Sequence, residues 1–210
     1  PAMFTTKMTE QRKRGRPRKA SNSTIIENAM SIYWRDGLAE QSLNEICRKL
    51  EVAKPGIYRD FGGEDGLIAE TLVLYGRVVG AIFDEIIKSQ KSFHSQISDF
   101  LDKVFDLHKE HPHGCLLMQA RLNQRNMGAG PAHVLHAQDA ANFQSTSAWV
   151  QRALTQGDIP SNMSVETAAQ LILSQISWIH NGLESGLSEP MVRDLSALSL
   201  WALSKPSKLH

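Results

Sequence analysis

The chain has 210 residues, 41% of them hydrophobic, and its 23 lysines and arginines nearly balance its 22 aspartates and glutamates. This length allows one or two domains with a substantial core. The basic N-terminus is not followed by an apolar segment, and no apolar run approaches the roughly 18 to 20 residues that cross a bilayer. We therefore expect a cytoplasmic protein without a membrane partner, whose two cysteines are thiols rather than a disulfide framework.

The near-neutral total hides a charge asymmetry along the chain. Residues 1–61 carry 12 basic and 7 acidic side chains, a net charge of +5, whereas residues 62–210 carry 11 and 15, a net charge of −4. A basic head on an acidic body is expected when only the head meets a polyanion, because the polyanion repels the body.

The N-terminal tail, residues 1–21, is basic, and its segment at residues 7–19 has almost nothing apolar to bury, so we expect the tail to be disordered in isolation. Within it, Arg14, Arg16 and Arg18 belong to an Arg-Gly-Arg-Pro-Arg sequence that resembles an AT-hook core. The arginines of that motif lie in the narrow minor groove of A·T-rich DNA. The alternative is a solvated tail that attracts phosphates without sequence preference. Both interpretations predict that the tail raises DNA affinity.

The first helix is predicted from apolar residues that recur at helical spacing over residues 25–33. Thr24 is its predicted N-terminal cap, with Glu27 at the capping-box spacing, and Gly37 is its predicted end. We expect this helix to pack across the two helices that follow and to hold them rigid.

A second, shorter helix follows a predicted capping box made by Ser42 and Glu45. Its apolar stripe has the i, i+3, i+4 and i+7 spacing and consists of Leu43, Ile46, Cys47 and Leu50. A turn over residues 51–53 ends it.

A third helix begins near Lys54, with Pro55 in the first turn, where a missing N–H costs nothing. Its predicted inner face is Ile57, Tyr58 and Phe61, and its predicted outer face carries Lys54, Gly56 and Arg59. Two short helices joined by such a turn match a helix-turn-helix, whose second helix enters the major groove of DNA. The alternative is an ordinary helical hairpin within a core.

The amino-acid sequence of these first three predicted helices resembles the N-terminal domain of the TetR family of transcriptional repressors. The resemblance covers residues 24–74 and is carried by Gly37, by the sequence Ser-Leu-Asn-Glu-Ile at 42–46, by residues 52–58, and by Tyr-Arg-Asp-Phe at 58–61. Helical periodicity is common along the chain and alternating strand patterns are scarce, which predicts an all-α fold. The resemblance implies a three-helix DNA-binding domain at 22–67 and a helical ligand-binding and dimerisation domain at 68–210.

Chemistry and the resemblance together assign DNA contacts to Ser42, Lys54, Pro55, Gly56, Tyr58 and Arg59. The two cations are long enough to reach a phosphate or a guanine edge, and the glycine lets the backbone approach DNA closely. The chain departs from the family pattern at Glu51, Ala53 and Glu64, where Gly, Ser and Lys are usual. These departures predict a strained turn, a missing cap and a lost phosphate contact.

The remaining sequence predicts further helices, beginning with a long apolar one from Glu64. Glycines and a proline at Gly128, Gly130 and Pro131 predict a loop. The other predicted helices cover residues 93–108, 115–126, 132–155, 164–185 and a final segment capped by Ser188. The resemblance implies that the last two pair with those of a second subunit as a four-helix bundle. We therefore expect a homodimer on a pseudo-palindromic, double-stranded DNA operator.

Imidazoles and a thiol lie close together at His108, His111, His113 and Cys115. Their spacing matches no standard zinc pattern, so we expect neither a metal nor a cofactor. Cys115 stands at a predicted helix N-terminus, a position that lowers the pKa of a thiol and makes it reactive. The resemblance adds that a few relatives use such a cysteine to sense electrophiles, which makes Cys115 a candidate redox thiol. The alternative is a half-buried structural cysteine.

Large side chains in the middle helices exceed what one small core needs, and they predict a pocket for a hydrophobic or weakly acidic molecule. The candidate ligand-binding residues are Phe83, Leu101, Phe105, Met118, Phe143, Trp149 and Trp178, with Arg121 or His180 as polar anchor. We therefore expect a repressor released from its operator by a small effector, and no enzyme activity. The alternatives are an architectural DNA-binding protein without a ligand and a metal-dependent enzyme that uses the His/Cys cluster.

Overall fold

The computed structural model describes residues 20–111, 113–160 and 162–203, so the candidate minor-groove arginines Arg14, Arg16 and Arg18 lie outside the described residues. The described part is all-helical, without a β-strand, which confirms the predicted fold class. The α-helices are α1 (Asn22–Asp36), α2 (Leu43–Lys49), α3 (Lys54–Phe61), α4 (Glu64–Ile87), α5 (Phe93–Glu110), α6 (Leu116–Leu122), α7 (Ala129–Gln156), α8 (Val165–Glu184) and α9 (Glu189–Trp201), with a 3₁₀ turn at Gln124–Asn126.

The cap of α1 differs from the prediction. The Ser21 hydroxyl, not that of Thr24, caps the helix by accepting a hydrogen bond from the Thr24 amide at 3.2 Å. Ser21 has the extended backbone that a cap needs, whereas Thr24 already lies in the first turn. Gly37 ends the helix as predicted, with a positive φ of 85° and its amide bonded to the Tyr33 carbonyl.

Two hydrophobic cores divide the molecule. The first joins α1, α2 and α3 to the first part of α4 and also takes in α6 and Leu135 of α7. The second joins α5, α8 and α9 to the C-terminal part of α7. The helix α4 belongs to the first core as far as Val79 and reaches the second at Ile87. It therefore connects the N-terminal helices mechanically to the rest of the chain.

Two element boundaries in the C-terminal part correct the predictions. The helix predicted over 115–126 is shorter, because α6 ends at Leu122 and a 3₁₀ turn follows. Gly130 and Pro131 lie inside α7 rather than in a loop, since a proline in the first helical turn forfeits no hydrogen bond. Ser164 caps α8 by accepting from the Thr167 amide at 3.1 Å, whereas the Ser188 side chain makes no capping bond at α9.

The helix α4 is long and apolar enough to cross a membrane by length and composition, a test that the core helices of water-soluble proteins also pass. Within the described residues, α4 is the one helix that meets this criterion of length and composition. In this fold α4 packs against α1, α3, α5, α6 and α7.

Candidate DNA-binding surface and ligand cavity

The turn between α2 and α3 has the predicted local geometry. The Ser42 hydroxyl accepts from the Glu45 amide at 3.3 Å, and the Glu45 carboxylate accepts from the Ser42 amide at 2.9 Å, which completes the capping box. Glu51 adopts the left-handed conformation with φ of 52°, at a cost of about 1 kcal/mol for a residue with a Cβ. Ala53 provides no side-chain cap for α3.

The outer surface of α3 carries Lys54, Pro55, Tyr58 and Arg59, all exposed, beside the half-buried Gly56. Tyr58 is 55% exposed, which corrects its predicted inward orientation. Ile57 is the residue that α3 buries, and the next position along a helix turns by about 100° away from it. The Tyr58 ring lies against Gly63, where a Cβ would be 3.2 Å from its Cε1 atom.

The polar side chains on this surface already pair with neighbouring polar groups. Arg59 donates to both carboxylate oxygens of Asp60, at 2.9 and 3.1 Å, and Lys54 donates to the Asn44 amide oxygen at 3.3 Å. The Ser42 hydroxyl donates to Glu45 at 2.8 Å. The Arg59 side chain is 64% exposed although the Asp60 side chain is only 9% exposed, so a phosphate or a base edge can reach the cation from the solvent side.

A run of glycines fixes α3 against the start of α4. Gly62 and Gly63 have φ values of 77° and 121°, which a side chain disfavours. Gly66, in the first turns of α4, approaches α3 so closely that a Cβ would be 1.6 Å from the Phe61 carbonyl oxygen. Near this junction, burial raises the pKa of Glu64, helped by Asp65 and opposed by Lys54.

A cavity of about 500 Å³ lies between α4, α5, α6, α7 and α8, with Trp34 of α1 also in its wall. Its wall is mostly apolar, formed by Val79, Phe83, Phe100, Val104, Leu107, Leu117, Trp149, Ile176 and Ile179. One side of α7 adds amides and hydroxyls to the wall: Gln138, Asn142, Ser145 and Thr146. The size and lining are typical of small-molecule sites.

Three of the candidate ligand residues line this cavity: Phe83, Trp149 and His180. Leu101 and Phe105 are instead buried in the second hydrophobic core, where the Phe105 ring lies 4.0 Å from the Arg193 guanidinium. Apolar spacing alone does not distinguish a side that packs against a helix from a side that faces a cavity.

The other four candidates also lie outside the cavity wall. Arg121 is exposed and pairs with Asp139, Trp178 is partly exposed on α8, and Phe143 lines a shallow groove with Leu171. The sulfur of the fourth, Met118, accepts a hydrogen bond from the Ser177 hydroxyl at 3.2 Å. The sequence reasoning missed Phe100, Tyr75 and His108, which do line the cavity.

The inner end of the cavity touches the helix that supports the DNA-binding surface. The Trp34 indole donates to the Gly114 carbonyl at 3.0 Å and contacts the Tyr75 ring edge-on, with ring centroids 4.9 Å apart. The other face of the indole stacks on His111 at 3.4 Å. Beyond the end of α1, the Leu38 amide donates to Gln119 at 2.8 Å. The cavity wall is therefore in direct contact with α1.

The histidines of the predicted cluster separate in the fold. His111 stacks on Trp34, His113 lies beside Gly37, and His108 meets His180 across the cavity. Among the residues that the structure describes, no group of three or more His, Cys, Asp or Glu side chains is arranged to hold a metal ion.

Both cysteines are free thiols, as predicted, but their surroundings differ. Cys47 is buried in the first core, whereas Cys115 is half-buried in the cavity wall at the start of α6. Tyr75 and Cys115 are neighbours in this wall. Burial and this neighbour raise the pKa of Tyr75, so its hydroxyl is protonated at neutral pH.

Comparison with known proteins identifies a matching family model and several similar regulators. Residues 25–71 match the family model of bacterial regulatory proteins of the tetR family. The chain is similar to the HTH-type transcriptional repressor ComR of Escherichia coli (strain K12), with 20% identity over 91% of this chain and 93% of that protein. It is also similar to the HTH-type transcriptional regulator SrpR of Pseudomonas putida, with 22% identity over 91% of this chain and 89% of that protein.

Solved structures share the fold along nearly the whole chain. A cysteine mutant of the TetR family regulator CifR, complexed with 26-bp operator DNA, matches with a TM-score of 0.75 and 20% identity over 90% of this chain and 100% of that one. The reduced form of Escherichia coli NemR matches with a TM-score of 0.76 and 13% identity over 88% and 97%. The helix-turn-helix, the family match and the shared fold identify this chain as a transcriptional regulator of the TetR family.

Proposed function

We propose that the protein is a homodimeric, cytoplasmic repressor that binds a pseudo-palindromic operator through α3 of each subunit and is released when a small molecule enters the cavity. In this proposal residues 22–67 are the DNA-binding head, residues 68–210 are the regulatory body, and no catalytic step takes part. The observation that carries it is the position of Trp34, which belongs to α1 of the head and lines the ligand cavity of the body.

The proposed mechanism is a shift between two conformations. A dimer binds both half-sites when its two α3 helices are about 34 to 36 Å apart, one turn of DNA. The Trp34–Gly114 and Leu38–Gln119 hydrogen bonds tie α1 to the chain around α6, so a ligand that displaces the cavity wall also moves the head. A ligand that prefers the other head separation weakens operator binding by its differential affinity for the two conformations.

The N-terminal tail adds to DNA affinity in this proposal. Arg14, Arg16 and Arg18 stand just before α1 in the sequence, so they can reach the minor groove beside the major groove that α3 enters. Even without base contacts, each arginine that neutralises a phosphate strengthens binding at low salt.

An exposed apolar surface on α9 supports the homodimer. Leu198 and Trp201 are 67% and 70% exposed, and Met191 and Leu195 are exposed on the same helix. Trp178 of the adjacent α8 adds to this surface. Large contiguous apolar patches are rare on monomers, and a two-fold axis beside α8 and α9 would bury the patch against its own copy.

The dimer surface can be tested with one charged substitution. We expect Leu198→Glu to yield monomers, because it buries a charge in the proposed interface, and to lower operator affinity by about 100-fold or more, because single heads lose the gain from two linked sites. Analytical ultracentrifugation and fluorescence anisotropy with operator DNA measure the two effects. Leu122→Glu is the matched control, since Leu122 is 77% exposed on α6 and should leave the dimer intact. A dimeric Leu198→Glu variant would contradict this interface.

The regulator function itself is tested by DNA binding. The protein should bind DNA from directly upstream of its own gene tightly and a scrambled duplex weakly, in fluorescence anisotropy at about 150 mM salt, where nonspecific electrostatic binding is weak. Equal, salt-sensitive binding to both duplexes would favour the architectural alternative instead.

A second mode of release, by electrophiles, is favoured by the position of Cys115 in the cavity wall. We expect iodoacetamide to alkylate Cys115 in the native protein faster than Cys47, because Cys47 is buried. Peptide mass spectrometry after short exposures measures both rates. Alkylation should release wild-type protein from the operator but not the Cys115→Ser variant. Equal release of the two proteins would assign the effect to another residue.

A further inference from the structure

The inner end of the cavity contains a pair of imidazoles, His108 of α5 and His180 of α8. Their ring centroids are 5.6 Å apart, and the rings are inclined at 65°. The Nδ1 atoms of both are buried without a hydrogen bond to any described residue. Both rings line the cavity wall, so a polar molecule in the cavity can supply hydrogen bonds to the pair.

The pair is held in place by its surroundings. The His180 ring lies directly over Gly114, where a Cβ would be 2.2 Å from its Nδ1 atom. Gly114 is in turn fixed by the hydrogen bond that its carbonyl accepts from Trp34. A molecule that contacts His180 is therefore separated from Trp34 of α1 only by Gly114.

Charge limits what this end of the cavity can bind. Burial lowers the pKa of His180, and the neighbouring His108 and His113 lower it further against the opposing Glu184, so His180 is neutral near pH 7. The charged side chains in the described cavity wall are Arg77 and Asp84, both on α4 and of opposite sign. A carboxylate at the imidazole end would lose its hydration without gaining a cationic partner.

An imidazole pair also discriminates among uncharged groups. In its uncharged form an imidazole offers one donor nitrogen and one acceptor nitrogen, so a pair can present one of each to a molecule in the cavity. A hydroxyl can donate to one and accept from the other, whereas an ether or ketone can only accept. The apolar and aromatic wall beyond the pair, with Phe83, Phe100 and Trp149, suits a ring system.

We propose that the cavity binds an uncharged, ring-containing hydroxyl compound, a phenol or a hydrophobic alcohol, whose hydroxyl hydrogen-bonds to the imidazoles of His108 and His180. This inference rests on the proposed function, because the molecule would be the effector of the same repressor.

The test compares three probes of one ring size in equilibrium dialysis at about pH 8, where unperturbed imidazoles are neutral. We expect 2-naphthol to bind about tenfold more tightly than its methyl ether, 2-methoxynaphthalene, and than the anion 2-naphthoate, since the ether lacks the donor and the anion lacks a cationic partner. Equal binding of naphthol and ether, tightest binding of naphthoate, or no binding of any probe would overturn the inference.

Variants connect the preference to the two histidines. His180→Phe and His108→Phe should bind naphthol and ether about equally, with ether affinity within about threefold of wild type. His180→Gln, whose amide can donate and accept, should retain part of the preference. His136→Phe is the matched control, because His136 is exposed on α7, and should behave as wild type. An unchanged preference in the first two variants would overturn the inference.

Operator binding, measured on the same samples, separates the two proposals. A wild-type protein that binds its operator without preferring the hydroxyl probe would refute the effector class and leave the repressor function standing. A protein that prefers the hydroxyl probe but binds no operator would refute the repressor function and leave the chemistry of the cavity standing.

Discussion

Replacing Arg59 with alanine should abolish the preference of the protein for its operator over scrambled DNA. The Arg59 side chain is 64% exposed on α3, so its guanidinium can reach a base edge although it also pairs with the nearly buried Asp60. A bidentate arginine–guanine contact contributes about 1 to 3 kcal/mol of discrimination, so a dimer with two such contacts loses about 2 to 6 kcal/mol. Fluorescence anisotropy with both duplexes measures this difference.

The matched control for this variant is Arg35→Ala. Arg35 makes the same kind of two-pronged pair with the aspartate that follows it, Asp36, at 2.5 and 2.8 Å, but it lies at the end of α1. We expect Arg35→Ala to leave operator preference unchanged. Retained preference in Arg59→Ala would remove Arg59 from the base-reading surface.

Lys54→Ala, by contrast, should weaken binding to both duplexes and reduce the salt dependence, because a lysine that contacts phosphate reads no sequence.

The second large effect concerns the junction of α3 and α4. We expect Gly66→Ala to destabilise the protein by about 3 to 5 kcal/mol, because its Cβ would overlap the Phe61 carbonyl oxygen and force α4 away from α3. Urea unfolding measures the loss, and weaker operator binding should accompany it, since the junction fixes the orientation of α3.

Gly80→Ala, in the same helix, is the control for the glycine substitution itself. A Cβ at Gly80 meets nothing within 4 Å, so alanine there should stabilise α4 by up to about 1 kcal/mol through its higher helix propensity. Equal stability of the two variants would show that the close approach at Gly66 is not a constraint on this fold.

Sequence alone predicted the features that depend on neighbours within one helical turn. The capping box of Ser42 and Glu45 and the start of α3 at Lys54 were both predicted, because each is decided by hydrogen bonds or backbone sterics among residues a few positions apart. The strained turn at Glu51 was suggested only by the family's usual glycine there. The prediction of Thr24 as a cap shows the limit of this reasoning. The segment at 21–24 offers several hydroxyls, and which one lies in extended backbone depends on where the first turn begins.

Tertiary structure decided the cavity and its connection to the head. Phe83 lines the cavity whereas Phe105 is core, although both lie on long helices with apolar spacing, because their roles depend on which helix packs on which side. The closeness of Trp34 to Gly114 and of His108 to His180 leaves no trace in the sequence, since those partners are far apart along the chain. The sequence by itself determined the local geometry of the helix-turn-helix, and long-range packing alone decided which residues face the cavity.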